Sequence, residues 1–284
     1  ELLRAVAPAG GAWRRHAPAA AAALAVAMLV VGFASPQATA RVPRESAIVM
    51  LVIDTSASMD ADDVEPTRLE AAIDAATSFV DDLPAGHKVG LVSFDGRATV
   101  VATPATDHEA VASAIEGLAL GPGTAAGDAL AVAVDAVRAA AGDARAGTPT
   151  PEDLERQGAA IVLLSDGATT VGRPATVGAQ AARAAGIPVT TISFGTDAGI
   201  VEVQGHVVPV PADPDTMEAV AELTDGRFFE AFSREDLASV YDDIGTRVGY
   251  DTEERDASGG PLAAGTALMG AALTLAFVWN GRLA

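Results

Sequence analysis

The 284-residue chain contains no cysteine. This absence excludes disulfide bonds, a thiolate nucleophile and any zinc site built from cysteine ligands. Basic residues are also scarce: 18 Lys and Arg stand against 38 Asp and Glu, which gives a net charge of −20. We do not expect so acidic a chain to bind nucleic acid, because contacts to phosphates need Lys and Arg.

Long apolar segments are present near both ends of the chain. Residues 18–34 and 262–278 contain no charged side chain, and their length is at the short end of what crosses a bilayer as a helix. We expect both to be transmembrane helices, with a buried core helix as the alternative for each. A cleavable signal peptide is a further alternative for the first, since Ala38-Thr-Ala40 has the small-x-small form of a cleavage site.

The acidic charge is confined to the part of the chain between these segments. Residues 41–256 hold 37 acidic and 14 basic residues. Basic flanks of membrane spans tend to stay in the cytoplasm, and Arg14, Arg15 and Arg282 lie outside the two spans. We therefore expect a multi-pass protein of the cell membrane whose acidic block is extracytoplasmic. The predicted cytoplasmic segments are residues 1–17 and 279–284.

Buried strands alternate with helices throughout the acidic block. Residues 47–53 and 159–164 are continuous apolar runs, which are typical of parallel strands buried on both faces. Helical periodicity separates them, for example in residues 66–83 and 125–141. The order predicts an α/β fold with a doubly wound, mostly parallel sheet. Further expectations are a helix over residues 107–118 capped by Asp107, an exposed loop over 142–157, a β-hairpin over 200–210 around Gln204-Gly205, and an edge strand over 227–230.

Hard oxygen donors follow the first of these strands. Asp54, Ser56 and Ser58 place one carboxylate and two hydroxyls at alternate positions where the strand opens into a loop, the usual place for a ligand in such sheets. Thr124 at the start of a helix and Asp166 directly after another buried strand belong to the same edge. Oxygen donors of this kind favour Mg²⁺, Ca²⁺ or Mn²⁺ over softer metals. The five residues therefore predict a site for a hard divalent cation.

Other readings of the same residues stay open from the sequence. Asp54 or Thr124 taken alone fits a helix N-cap. Asp54 also fits the nucleophile of a metal-dependent, phosphatase-like hydrolase. Phosphatases of the haloacid dehalogenase type carry a second Asp two residues on, however, where this chain has Ser56, and its one Lys is Lys88.

Two further groups of polar residues have simpler interpretations. Asp60, Asp62 and Asp63 fit a second cation site, but we expect solvated acids at the start of the next helix. Three of the four histidines lie in the acidic block; they are isolated in sequence, and we expect surface or turn positions for them. They are His87, His108 and His206.

The pattern D-x-S-x-S at residues 54–58, followed by Thr124 and Asp166, resembles the metal-ion-dependent adhesion site (MIDAS) of von Willebrand factor type A domains. The resemblance implies such a domain over residues 45–250, with Ser56, Ser58 and Thr124 contacting the metal and the two aspartates acting directly or through water. It also implies Mg²⁺, or Mn²⁺ or Ca²⁺, as the cofactor. The implied function is recognition rather than catalysis: the cation attracts an Asp or Glu side chain of a protein partner.

The whole layout resembles membrane-anchored von Willebrand A proteins of the Bat-type (aerotolerance-related) and actinobacterial groups. The matching features are the span ending in Ala34-Ser-Pro, the Arg-x-Pro-Arg sequence from Arg41 to Arg44, the run over residues 49–59 and the hairpin with Gly205. The resemblance implies a link with MoxR-type AAA+ ATPases, or a membrane complex with related von Willebrand A proteins. Members often have a further span upstream, and because the chain starts at Glu1 rather than Met, we expect a fragment or a processed product.

Overall fold

The computed structural model describes residues 13–34, 37–43, 46–142, 148–167, 169–203, 205–248 and 250–280. The chain divides into a terminal unit, formed by the segments up to Val42 and from Thr252, and a central unit from Pro43 to Asp251. In the described residues the helices are α1 (Trp13–Phe33), α2 (Arg68–Asp82), α3 (His108–Glu116), α4 (Ala126–Ala141), α5 (Pro151–Arg156), α6 (Ala175–Ala185), α7 (Pro214–Leu223), α8 (Arg234–Val248) and α9 (Gly259–Asn280). The strands are β1 (Gln37–Pro43), β2 (Ile48–Asp54), β3 (Lys88–Phe94), β4 (Ala98–Ala105), β5 (Ala159–Ser165), β6 (Val189–Phe194), β7 (Ile200–Val203), β8 (His206–Pro209), β9 (Phe228–Ala231) and β10 (Tyr250–Asp256).

The central unit is built on a six-stranded sheet in the order β4-β3-β2-β5-β6-β9. The pairs β2–β3, β2–β5, β5–β6 and β6–β9 are parallel, and β4 pairs antiparallel with β3 at one edge. The predicted doubly wound, mostly parallel α/β fold is therefore confirmed. Strand β9 lies at the other edge, close to the predicted position.

Strand β2 shows why the apolar runs form this sheet, since all seven of its residues are buried. Val49, Leu51 and Ile53 belong to a core with side chains of α2, α3 and α8. The alternate residues of β2 pack with α4, α6 and α7 on the other face. Because side chains alternate across a strand, a continuous apolar run is what a sheet covered on both faces requires.

The strand order reverses direction between β2 and β5. The chain runs from β2 outward to β3 and β4, then returns to β5 on the other side of β2 and continues to β6. In open α/β sheets, ligands bind at the carboxyl ends of the strands at such a switch point. The ends of β2 and β5 therefore define the edge where a site is expected.

Local sequence signals account for several connections. Asp107 caps α3 as predicted, since its side chain accepts a hydrogen bond from the Ala110 amide. The predicted hairpin is formed by β7 and β8; Gly205 has a φ of +82°, and Gln204 lies outside the described residues. The expectation of a loop throughout residues 142–157 is wrong, because α5 lies within it. Thr150 forms a capping box with Asp153, and Pro151 begins the helix, so the chain starts a helix despite its exposed, charged composition.

In the terminal unit, α1 and α9 contact each other, and β1 pairs with β10 in a strand pair that the sequence did not predict. Within these helices, His16–Phe33 and Gly259–Val278 are long and apolar enough to cross a membrane, and only 11% of each segment is buried. A core helix of a soluble domain would be mostly buried. Phe33 and Phe277, for example, are 80% and 79% exposed, so these helices present apolar surface that calls for an apolar environment.

Candidate metal-binding site

The predicted ligands lie at the switch point between β2 and β5. Asp54 is the last residue of β2, and Asp166 directly follows the last residue of β5. After Asp54 the chain turns into a short 3₁₀ helix over Ala57–Asp60. This turn places the hydroxyls of Ser56 and Ser58 side by side, with their Oγ atoms 3.0 Å apart.

The Thr124 loop is fixed to both neighbouring loops by backbone hydrogen bonds. The Gly121 amide donates to the Thr55 carbonyl at 2.8 Å, so this loop continues alongside the first one. The Thr124 amide donates to Thr170 Oγ1 at 2.8 Å, and the Thr124 carbonyl accepts from the amides of Thr170 and Val171. The loop that carries Thr124 is therefore bonded to the loop after β2 on one side and to the loop after β5 on the other.

Neither residue that could have been a helix N-cap serves as one. The N-cap position of α4 is Ala125, one residue after Thr124, and the 3₁₀ helix is preceded by Ser56 rather than Asp54. The side chains of Thr124 and Asp54 are therefore not used to begin these helices. The simpler structural interpretation of the two residues is wrong.

Asp54 is fully buried beneath the two serines. Its Oδ1 accepts a hydrogen bond from the Ser56 amide at 2.8 Å, and its Oδ2 accepts one from the Ser165 hydroxyl. Burial, followed by the negative charge of Asp166, raises the pKa of the Asp54 carboxyl from 3.8 to about 7, against the opposing effect of these hydrogen bonds. Asp54 thus orients the first loop from below and shares a poorly solvated region with a second carboxyl.

Four of the five predicted residues line one groove of about 650 Å³, and Asp54 lies below them. The structure therefore brings all five residues to one place. No cluster of three or more His, Cys, Asp or Glu side chains with metal-binding geometry occurs among the described residues, so hydroxyls make up most of this donor set. The groove-lining members of the set are Ser56, Ser58, Thr124 and Asp166.

Arg68, which the sequence analysis missed, anchors this edge. Its side chain is fully buried and forms a two-pronged ion pair with Asp63: Nε to Oδ1 is 2.8 Å and Nη2 to Oδ2 is 2.7 Å. Its Nη1 reaches Asp166 Oδ2 at 3.4 Å. Nη2 also donates to the carbonyls of Thr196 and Val210. Arg68 therefore connects a predicted metal ligand to the loop after β6 and to the segment after the hairpin.

A sequence signal for Arg68 existed. It falls on the same face of α2 as the buried residues Ala71, Ala72 and Ala75, and a charged residue on an apolar helix face needs a buried partner. Gly195 supplies the space: with a φ of +123°, it lies so close that a side-chain carbon there would meet the guanidinium.

The interpretation of the three acids before α2 is partly wrong. Asp60 and Asp62 are exposed, as expected for solvated acids. Asp63 is not solvated: only 8% of its side chain is exposed, and the amide and hydroxyl of Thr196 also donate to it. Burial acts to raise the pKa of Asp63, but the hydrogen bonds from Arg68 and Thr196 outweigh it and hold the pKa below its usual value.

The histidines take no part in this edge. His87 lies in the turn before β3, which agrees with the expectation of a surface or turn position, but it is fully buried rather than exposed. The His108 ring contacts the His87 carbonyl at 2.9 Å, and His206 is exposed on β8. Little in the sequence indicates that His87 is buried, because it follows the exposed turn residues Ala85 and Gly86.

Comparison with known proteins identifies the type of domain. A family model of the von Willebrand factor type A domain matches residues 49–168. A UPF0353 protein of Mycobacterium ulcerans is 40% identical over 289 residues, covering all of this chain and 84% of the relative. The chain belongs to the UPF0353 family. The match to the family model confirms the predicted von Willebrand A domain.

Solved structures support the fold. The crystal structure of an aerotolerance-related membrane protein from Bacteroides fragilis has a TM-score of 0.57 and 23% identity, covering 71% of this chain and 98% of that one. Proximal thread matrix protein 1 from the mussel byssus, whose MIDAS motif is occupied by zinc, has a TM-score of 0.52 and 17% identity, covering 76% and 50%. At these identities the similarity shows a shared fold. This holds for the aerotolerance-related protein too, the group that the sequence was predicted to resemble.

Proposed function

We propose that the central unit holds a divalent cation at Ser56, Ser58, Thr124 and Asp166, with Asp54 beneath them, and uses it to bind an acidic side chain of a protein partner. The observation that carries the proposal is the convergence of these five residues, from three loops, at the switch point of the sheet. When bound, the cation would supply the positive charge that attracts a carboxylate.

The donor set fits a hard cation. Ser56 Oγ and Ser58 Oγ lie 3.0 Å apart. Two neighbouring ligands of an octahedral Mg²⁺, each at about 2.1 Å, are also separated by about 3.0 Å. The zinc-occupied MIDAS of the mussel protein supports a divalent ion in this fold; the oxygen-only donors of the present chain favour Mg²⁺ or Mn²⁺, with Ca²⁺ as a further candidate.

The charge balance favours recognition over catalysis. Three of the donors are neutral hydroxyls, so the two aspartates at most balance the charge of the cation. A further carboxylate entering the groove would then complete the ligands of the cation. The hydrolase alternative needs Asp54 as an exposed nucleophile, whereas Asp54 is fully buried and held by Ser56 and Ser165.

We further propose that α1 and α9 anchor the chain in the cell membrane and that the central unit faces the extracytoplasmic side. Arg14, Arg15 and Arg282 outside the spans support this orientation. Arg41 and Arg44 do not follow the rule. The partner would then be an extracytoplasmic protein or a related von Willebrand A protein in the same membrane. A link with a cytoplasmic MoxR-type ATPase would have to pass through the membrane-spanning helices.

A metal-dependent pulldown from solubilised membranes tests the proposal. We expect the full chain to retain a partner in Mg²⁺ and to release it in EDTA, and we expect Ser56→Ala and Asp166→Ala to retain none. Asp60→Asn is the matched control, because Asp60 is an exposed acid on the same loop. Equal retention in EDTA, or by Ser56→Ala, would contradict the proposal.

A further inference from the structure

The groove that holds the metal-site residues has a second wall, which is apolar. We call it the hairpin wall; its members come from β7, from β8 and from the segment that follows. On this side, valine and proline replace the hydroxyls and carboxylates of the metal edge, and Val208 is 40% exposed. The hairpin wall consists of Val201, Val208, Pro209, Val210 and Pro211.

Not every side chain of the hairpin faces this groove. Val201 is paired with Val208, and both line the groove. The next pair along the ribbon, Glu202 and Val207, points to the opposite face because side chains alternate along a strand. Val207 is 66% exposed and does not line the groove. The hairpin therefore presents a distinct apolar surface to the metal edge.

Hydrogen bonds hold the hairpin wall in place relative to the metal edge. The Val210 amide donates to the Gly199 carbonyl at 2.8 Å, and the Val210 carbonyl accepts from Arg68 at 3.1 Å. Arg68 also contacts Asp166, whose carbonyl accepts from the Asp213 amide at 2.6 Å. A surface that is already fixed costs less conformational entropy when a ligand packs on it.

We propose that the groove binds an extended segment of a protein partner in which an aliphatic side chain, next to the carboxylate bound at the metal edge, packs against the hairpin wall. The inference rests on the proposed function and names the partner's local chemistry. A volume of about 650 Å³ is in the range of small-ligand sites, which suits a short segment better than the face of a folded domain.

Charge further restricts the segment. Asp215 is exposed at the rim of the same groove, and residues 41–256 carry a large excess of acids. A second carboxylate in the segment would be repelled there, whereas a neutral or basic neighbour would not. The segment we propose therefore has a single Asp or Glu, a Val, Leu or Ile beside it, and no further acid.

A positional-scanning array of short synthetic peptides, probed with the full chain in lipid nanodiscs, tests this inference. The matched variants are Val208→Thr and Val207→Thr, which keep side-chain shape and strand propensity while making one face of the hairpin polar. In Mn²⁺, we expect wild type to select one acid with an aliphatic neighbour. We expect Val208→Thr to weaken those peptides about fivefold and to remove the aliphatic preference, and Val207→Thr to leave both unchanged.

The outcomes separate the two proposals. Mn²⁺-dependent selection of an acid without an aliphatic preference, or equal effects of Val208→Thr and Val207→Thr, would overturn the hairpin wall and leave the proposed function standing. Binding unaffected by EDTA and by Ser56→Ala would overturn the proposed function, and the inference with it. Thermal unfolding of both variants within the range of wild type establishes that a change at Val208 acts on binding and not on folding.

Discussion

The hydroxyls and the buried charges at this edge of the sheet differ in their surroundings and, we infer, in their roles. Ser56, Ser58 and Thr124 line an open groove and are neutral. Asp63 and Arg68 are an ion pair withdrawn from solvent; neither lines the groove, although Arg68 contacts Asp166 and Val210, which do. We infer that the buried ion pair holds the loops in place, whereas the hydroxyls serve as the proposed metal ligands. Substitutions in the first group should therefore change stability, and substitutions in the second should change metal binding.

Removing the buried positive charge of Arg68 should have the largest effect on stability. Arg68→Met leaves Asp63 buried without its partner, and losses of about 3–5 kcal/mol are typical when one member of a buried pair is removed. Thermal and denaturant unfolding of the full chain in detergent measure this loss. Arg234→Met is the matched control: its ion pair with Asp74 is about half exposed and should contribute less than about 1 kcal/mol. Similar losses in the two variants would show that the buried pair has no special role.

Removing the buried carboxylate of Asp54 should have an intermediate effect on stability, and in the opposite direction: it should stabilise the metal-free protein. The pKa of Asp54 is raised from 3.8 to about 7, so between these values the folded chain keeps a proton that the unfolded chain gives up. Without metal, stability therefore falls as the pH rises through this window. Asp54→Asn removes that loss and should stabilise the metal-free protein above pH 7 by about 1–3 kcal/mol. Unfolding measured against pH checks the sign, and an unchanged pH profile would contradict it.

The same carboxylate should set the pH dependence of the proposed metal binding. A cation must displace the Asp54 proton below the pKa of about 7, so Mn²⁺ affinity should fall by up to about tenfold per pH unit there and level off above it. Calorimetric titration across this range measures the slope. If the Mn²⁺ affinity stayed constant from about pH 5 to about pH 8, a range that spans the raised pKa of Asp54, metal binding would release no proton.

The sequence located the hydroxyls of the groove better than it located the buried charges, for a physical reason. Asp54, Ser56 and Ser58 are adjacent in the chain, and a buried apolar run fixes where their strand ends, so local spacing locates them. Arg68 pairs with Asp63, five residues before it, but it also contacts Asp166, Thr196 and Val210, which are distant in sequence and meet it only after the sheet has formed. The helix periodicity marked Arg68 as buried without naming its partners.

The same limit applies to the rest of the fold. Strands and long helices follow from apolar runs and periodicity, and the Asp107 cap follows from a local pattern. Helix α5 was missed because its short capping box, Thr150 to Asp153, lies in a charged stretch with one buried residue, Leu154. The β1–β10 pair was missed because strand pairing between distant segments leaves no local signal.

Deleting one groove hydroxyl should have the smallest effect on folding and a large one on metal binding. Ser58 is partly exposed and its hydroxyl contacts Ser56, so Ser58→Ala should change metal-free stability by less than about 0.5 kcal/mol. Wild type should gain about 2.7 kcal/mol at a metal concentration of a hundred times Kd, and Ser58→Ala much less at that concentration. Thermal unfolding with and without Mn²⁺ measures both quantities.

The central claim is that one divalent cation is held by residues from three loops at the switch point of the sheet. Electron paramagnetic resonance of Mn²⁺ titrated into the full chain tests it most directly. The account predicts one bound Mn²⁺ per wild-type chain, retained by Asp60→Asn and lost in Ser56→Ala and in Asp166→Ala. Equal Mn²⁺ binding by wild type, Ser56→Ala and Asp166→Ala would contradict it.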